Sequence, residues 1–136
     1  MVDLARFKAI DDDDGHPTGD AVLGAVADVL GAVRGDRDLV VRWGGEEFLL
    51  IPPETIFDDA AGVGERGHHT IAGLGPRGLR STATLGVAGL AEGETAASPL
   101  RRADVAVHEG RDRTVDAPAM PLAREPARGG RPRSAI

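Results

Sequence analysis

The chain has 136 residues, a one-domain length, and carries a net charge of −6. With aromatics at 3% and no cysteine, the core has to be built from Val, Leu, Ile and Ala, and disulfides or thiolate metal sites are excluded. The body of the chain has no basic patch, which argues against nucleic acid as a partner. A small anionic ligand remains compatible if a cation screens it. No run of about 18 apolar residues is present, so no membrane span is expected. The N-terminus lacks a secretory pattern, and the absence of cysteine fits a reducing compartment, so a cytoplasmic location is expected.

In chain order, residues 2–7 read as a short strand, Val2 to Phe7. Asp11-Asp12-Asp13-Asp14-Gly15-His16-Pro17 reads as an acidic loop. A helix is predicted from Gly19 to Val33, where Val22, Val26, Val29 and Val33 recur at three- and four-residue steps. Asp20 in its first turn suits the positive end of the helix dipole. Residues 39–43 and 46–51 read as two strands joined at Gly44-Gly45, with Pro52-Pro53 ending the second. A helix is predicted over 58–74, weakened by Gly62, Gly64 and Gly67.

A loop follows at 73–78, then a half-buried strand at 80–88 with Thr82 and Thr84 on one face and Ala83, Leu85 and Val87 on the other. Ser98 to Glu109 is predicted to be a helix, with Pro99 in its first turn. A short strand is expected near Arg113 to Val115. Residues 117–136 are Pro-, Gly- and Arg-rich without periodicity and are expected to be a disordered tail. The order of elements predicts a mixed α/β sheet flanked by helices. His68-His69 and His108 have no companions at metal-ligand spacing, and Arg101, Arg102 and Asp104 read as a solvated helix face.

Three segments stand together in the first 48 residues: DLARFKAID at 3–11, GHPTGD at 15–20, and GGEEF at 44–48 preceded by Asp38 and Arg42. TLGVA at 84–88 and LRRADVAV at 100–107 follow. This order and spacing resemble the GGDEF domain of diguanylate cyclases, over about residues 2–116. The resemblance implies a ferredoxin-like or palm-type α+β domain over residues 1–116, with a central, mostly antiparallel sheet. The family's segment before the first strand has no counterpart in this sequence, so the first helix is expected to be missing.

The activity implied is condensation of two GTP molecules into cyclic di-GMP with release of pyrophosphate. It requires Mg²⁺ or Mn²⁺ and a homodimer, because each subunit holds one GTP. By the same resemblance, Asp3, the Leu4 carbonyl and Glu46 are the metal ligands, and Glu46 and Glu47 the catalytic carboxylates. Lys8 and the backbone near Phe7 contact phosphate, Asp11 and Asp20 read the guanine edge, Gly44-Gly45 lies against the guanosine, and His16 belongs to the same binding turn.

The sequence departs from the family pattern at further places, and Ala5 replaces the second Asp of its D-x-D. Asp11 stands where the family has Asn, and a carboxylate cannot donate a hydrogen bond. The family's Y-x-A-K-x-x-G-R-N segment is represented by His108 to Arg113, without its lysine. Arg34 is one residue out of register with Asp38 for the family's feedback motif, so no standard feedback site is expected. A degenerate module that binds GTP or a protein partner without turnover is the alternative reading, and a chain without a stable fold is a third.

Overall fold

A computed structural model describes residues 1–74 and 82–113. The elements are β1 (Val2–Ala5), α1 (Phe7–Asp14), α2 (His16–Val33), β2 (Leu39–Gly44), β3 (Glu47–Ile51), α3 (Phe57–Gly73), β4 (Thr82–Leu85) and α4 (Ala97–Arg113). The four strands form one sheet in the order β2-β3-β1-β4. Every neighbouring pair is antiparallel, as expected for the central sheet.

Strand alternation gives the sheet two unlike faces. Val2, Leu4, Phe48 and Ala83 share one face and join Val22, Val26, Leu30 and Ile71 of α2 and α3 in the main core. Asp3, Glu47, Leu49 and Thr84 share the other, because Asp3 is in register with both Glu47 and Thr84. Helix α4 packs over β4 and β1 on this second face. A Cβ at Gly110 of α4 would stand 2.6 Å from Thr84 Cγ2.

The expected acidic loop is a correction. Residues 7–14 form α1, even though four aspartates sit at its C-terminal end, where the helix dipole disfavours them. Phe7 and Ile10, three residues apart on one side of α1, pack against the core and decide the outcome. Strand β1 accordingly stops at Ala5, and Arg6 turns the chain with φ 58°. Helix α2 starts at His16, three residues earlier than predicted, with Pro17 in its first turn, where its missing N–H costs nothing.

Helix α3 forms despite its glycines, and Gly64 and Gly67 are on its buried side. Gly73 belongs to α3, and residues 75–78 of the expected loop lie outside the described residues. Strand β4 ends at Leu85, short of the predicted Ala88: Val2 is its last partner, and Gly86 exchanges backbone bonds with Met1, at 2.9 and 2.7 Å. The strand expected near Arg113 is overturned at Arg113 itself, which ends α4, while 114–115 and the expected tail at 117–136 lie outside the described residues.

Arg102 is not merely a solvated residue. It donates from Nη1 and Nη2 to the two oxygens of Glu94 at 2.7 and 2.9 Å, and from Nη2 to the Gly89 carbonyl at 2.5 Å. The Ala91 N–H donates to the same carboxylate at 2.9 Å. The Arg102 hydrogen bonds first, and the Ala91 N–H second, hold the Glu94 carboxyl down from its ordinary 4.5 to about 2. A carboxyl depressed in the folded state contributes stability that is present above pH 4.5 and is lost as pH falls towards 2. Arg102→Met is therefore expected to flatten the acid side of the stability profile between these limits. Urea unfolding of both proteins at pH 5 and pH 3 checks this: the variant should lose less stability on acidification than the parent.

Candidate functional site

The site begins at the hairpin between β2 and β3. Gly44 ends β2, Gly45 has φ +20°, and Glu46 precedes the first residue of β3. The pairing is irregular between Arg42 and Gly44. Arg42 donates from Nε and Nη2 to the Gly45 carbonyl at 3.0 and 2.7 Å, which locks the turn. The sequence placed Arg42 in the motif without a task. Its spacing, two residues before the Gly-Gly pair, was the signal that a side chain could reach back over the turn.

The hairpin is tied to β1 by the Leu4 N–H, which donates to the Glu46 carbonyl at 3.2 Å. Asp3 is opposite Glu47 in register. Asp3 and Leu4 are each 1% exposed, whereas Glu46 and Glu47 are half-buried. The fold thus brings Asp3, Leu4, Glu46 and Glu47 together at one place on two adjacent strands, with Gly44 and Gly45 alongside. These donors are all oxygens, flanking carboxylates and a backbone carbonyl, a chemistry that suits a hard divalent cation. Among the described residues no group of three or more His, Cys, Asp or Glu stands ready to hold a metal. A cation here would therefore draw part of its shell from a ligand such as phosphate.

The remaining candidates lie on α1 and α2. Helix α1 starts two residues after β1, so Phe7 and Lys8 stand at its uncapped N-terminus, close in sequence to Asp3 and Leu4. The N–H groups of Ala9 and Ile10 bond to the Arg6 carbonyl at 3.0 and 3.3 Å. Phe7 packs its ring against the core, whereas Lys8 is exposed and enters none of the ion pairs found among the described residues. A helix N-terminus next to a lysine is favourable for an anion.

Asp11 and His16 meet across the α1–α2 corner, with Nδ1 and Oδ2 2.6 Å apart. The other Asp11 oxygen lies over Gly19, where any Cβ would collide with it and would also stand 3.1 Å from Phe7 Cζ. Thr18 closes the corner by donating to the Asp14 carbonyl at 2.8 Å. Asp20 is exposed on the next turn of α2. Two groups therefore emerge, strand–hairpin carboxylates and a helix corner carrying Asp11, His16 and Asp20, with Phe7 and Lys8 between them in the chain.

Known proteins resemble the chain across all of these segments. The family model for "Diguanylate cyclase, GGDEF domain" matches residues 1–115. Diguanylate cyclase DgcM of Escherichia coli K12 is 48% identical over 65 residues, covering 48% of this chain and 16% of that protein. The response regulator PleD of Caulobacter vibrioides is 36% identical over 116 residues, covering 80% of this chain and 26% of PleD. The chain thus spans about a quarter or less of these two relatives. The solved active GGEEF domain of a diguanylate cyclase from Vibrio cholerae superimposes with a TM-score of 0.77 at 29% identity, over 82% of this chain and 74% of that one. No helix among the described residues is long and apolar enough to cross a membrane. The family model runs across both the β1–hairpin carboxylates and the helix corner, and leads to one conclusion: this chain belongs to the GGDEF family of diguanylate cyclase domains.

Proposed function

We propose that the domain condenses two GTP molecules into cyclic di-GMP, two copies each presenting one nucleotide. The observation that carries this reading is the Leu4 N–H to Glu46 carbonyl bond at 3.2 Å, which fixes the Glu46 backbone beside the Asp3–Leu4 segment. Asp3, the Leu4 carbonyl and Glu46 would hold Mg²⁺ or Mn²⁺, which when bound neutralises phosphate charge and lowers the pKa of the attacking hydroxyl. Lys8 and the N-terminal amides of α1 orient the triphosphate. Asp20 accepts hydrogen bonds from the guanine edge, and Gly44-Gly45 admits the guanosine against bare backbone.

The 3′-oxygen of one GTP forms a bond to the α-phosphorus of the other. The bond from that phosphorus to the β-phosphate oxygen breaks, and pyrophosphate leaves. The hydroxyl proton passes to the carboxylate pair Glu46 and Glu47. The same exchange in the opposite sense closes the ring, which is why two copies are needed.

A second reading is favoured by one contact. Asp11 is occupied by His16 and has no proton to donate to guanine, so a module that binds GTP without turnover is the alternative. Incubating the chain with GTP and Mg²⁺ or Mn²⁺, and separating the products chromatographically, distinguishes the two. Cyclic di-GMP is expected, with two pyrophosphates released for each one formed. Saturable GTP binding with no product from a cooperatively melting protein would overturn the catalytic proposal and leave the binding module.

A further inference from the structure

At the corner between α1 and α2 the side-chain donors are already engaged. Asp11 Oδ2 and His16 Nδ1 stand 2.6 Å apart. An ionised carboxylate has no hydrogen to give, so Nδ1 carries it and donates. Thr18 uses its hydroxyl on the Asp14 carbonyl. The N–H groups of Thr18 and Gly19 both bond to the Gly15 carbonyl, at 2.9 and 3.2 Å. Lys8, one turn before Asp11 on α1, forms no ion pair with it.

The second oxygen of Asp11 and the Phe7 ring both lie over Gly19, where any side chain would collide with the carboxylate. The Asp11 side chain is 23% exposed, whereas that of His16 is 88% exposed. The carboxylate is therefore gripped by an outward-lying imidazole on one side and by α2 on the other, with part of it still open to solvent. Asp20 follows Gly19 directly and is exposed, and its carboxylate enters none of the ion pairs among the described residues. Two carboxylates flank one bare glycine, so a ligand edge placed here has to bring the hydrogens.

We propose that Asp11, held by His16, makes the site require the 2-amino group of its purine. This rests on the GTP binding proposed above and specifies what is read. Guanine carries N1–H and two amino hydrogens along one edge. Asp20 accepts from N1–H and one amino hydrogen, and Asp11 accepts from the other. Hypoxanthine keeps the ring, O6 and N1–H but has only a C–H at position 2. Against that base Asp11 would meet the C–H and the N3 lone pair with nothing to accept, in a place only partly open to water. An asparagine could turn its amide to donate to N3 and so tolerate either base. The carboxylate is what makes the amino group obligatory, and His16 is the positioning residue that stops it from rotating away.

Isothermal titration of the 136-residue chain with Mg²⁺ and either 3′-deoxy-GTP or 3′-deoxy-ITP tests this. Both nucleotides lack the attacking hydroxyl, so binding is read without turnover. The guanine nucleotide is expected to bind about 100-fold more tightly. Asp11→Asn should reduce this ratio to about tenfold or less, chiefly by tightening the inosine nucleotide. His16→Ala should also lower the ratio, by weakening the guanine nucleotide. His16→Asn, whose amide N–H can stand in for Nδ1–H, should restore it. Asp13→Asn removes a negative charge from an exposed position on the same helix and should leave the ratio unchanged.

Equal affinity for the two nucleotides overturns the inference while leaving GTP binding intact. So does a ratio in Asp11→Asn that matches the parent. A ratio that His16→Ala leaves unchanged, or that His16→Asn fails to restore, overturns the positioning role. The parent comparison needs no substitution and decides even where a variant fails to melt cooperatively. Binding of neither nucleotide would overturn the GTP reading itself, and the inference with it.

Discussion

Glu46→Ala is expected to lower cyclic di-GMP formation by on the order of 100-fold or more while the protein melts within about 1 kcal/mol of the parent. The two halves of this expectation have different structural origins. The Glu46 carbonyl, not its side chain, accepts the Leu4 N–H that ties the hairpin to β1. The β2–β3 ladder runs from Leu39↔Ile51 to Gly44↔Glu47, and Arg42 holds the turn through the Gly45 carbonyl. Truncating Glu46 at Cβ leaves this backbone tie and the Arg42–Gly45 lock in place.

What is lost is one of the few carboxylates beside the proposed phosphate position. An interaction that acts on charge developing in the transition state lowers the turnover number when removed, whereas a pure binding contact raises KM alone. The decisive measurement is product formation over a range of GTP and Mn²⁺ concentrations, with a melting curve on the same sample. A fall in turnover with an increased requirement for Mn²⁺ is the expected pattern. A variant as active as the parent would remove Glu46 from the chemistry.

Much of this frame is legible in the residues. Alternation on both sides of Gly44-Gly45, followed by Pro52-Pro53, leaves a β-hairpin as the natural outcome, and the three- and four-residue steps of Val22, Val26 and Val29 do the same for α2. Helix α1 is not legible in that way. Its last four residues are aspartates at the wrong end of the dipole, and local rules assign them to solvent. Its helical state depends on Phe7 and Ile10 reaching the core and on Asp11 meeting His16, contacts that exist only once α2 is in place. The buried glycines of α3 lower its intrinsic propensity, while the helix is held by packing against α2 and β4.

The proposed site residues come from family spacing, which carries nothing of their geometry. That Asp3 faces Glu47 and Thr84, that Arg42 reaches back to Gly45, and that Arg102 clasps Glu94 are consequences of strand register and helix docking. Register is set by the whole sheet, so no local window contains it.

The docking of α4 carries the largest expected stability effect. Gly86→Ala should destabilise the fold by about 2–3 kcal/mol, the cost of forcing an extra methyl into a packed interface. A Cβ at Gly86 would collide with the carbonyl oxygen of Ala103 and stand 3.0 Å from both the Ala103 carbonyl carbon and Val107 Cγ2. The first two of these atoms are helix backbone, so relief requires α4 to move as a body. Ala103 and Val107 are 6% and 4% exposed, and they would be drawn out of contact with it. Gly86 also bonds to Met1 on both its N–H and its carbonyl, which prevents the strand end from yielding instead. Gly24, in the middle of α2, is the natural control, because a Cβ there meets nothing within 4 Å. Gly24→Ala should stabilise by about 0.5–1 kcal/mol through helix propensity and reduced unfolded-state entropy. Thermal melts of the two variants should move in opposite directions, Gly86→Ala downward by roughly 10 °C and Gly24→Ala upward by a few degrees. If Gly86→Ala melts with the parent, α4 does not sit on the second face as described.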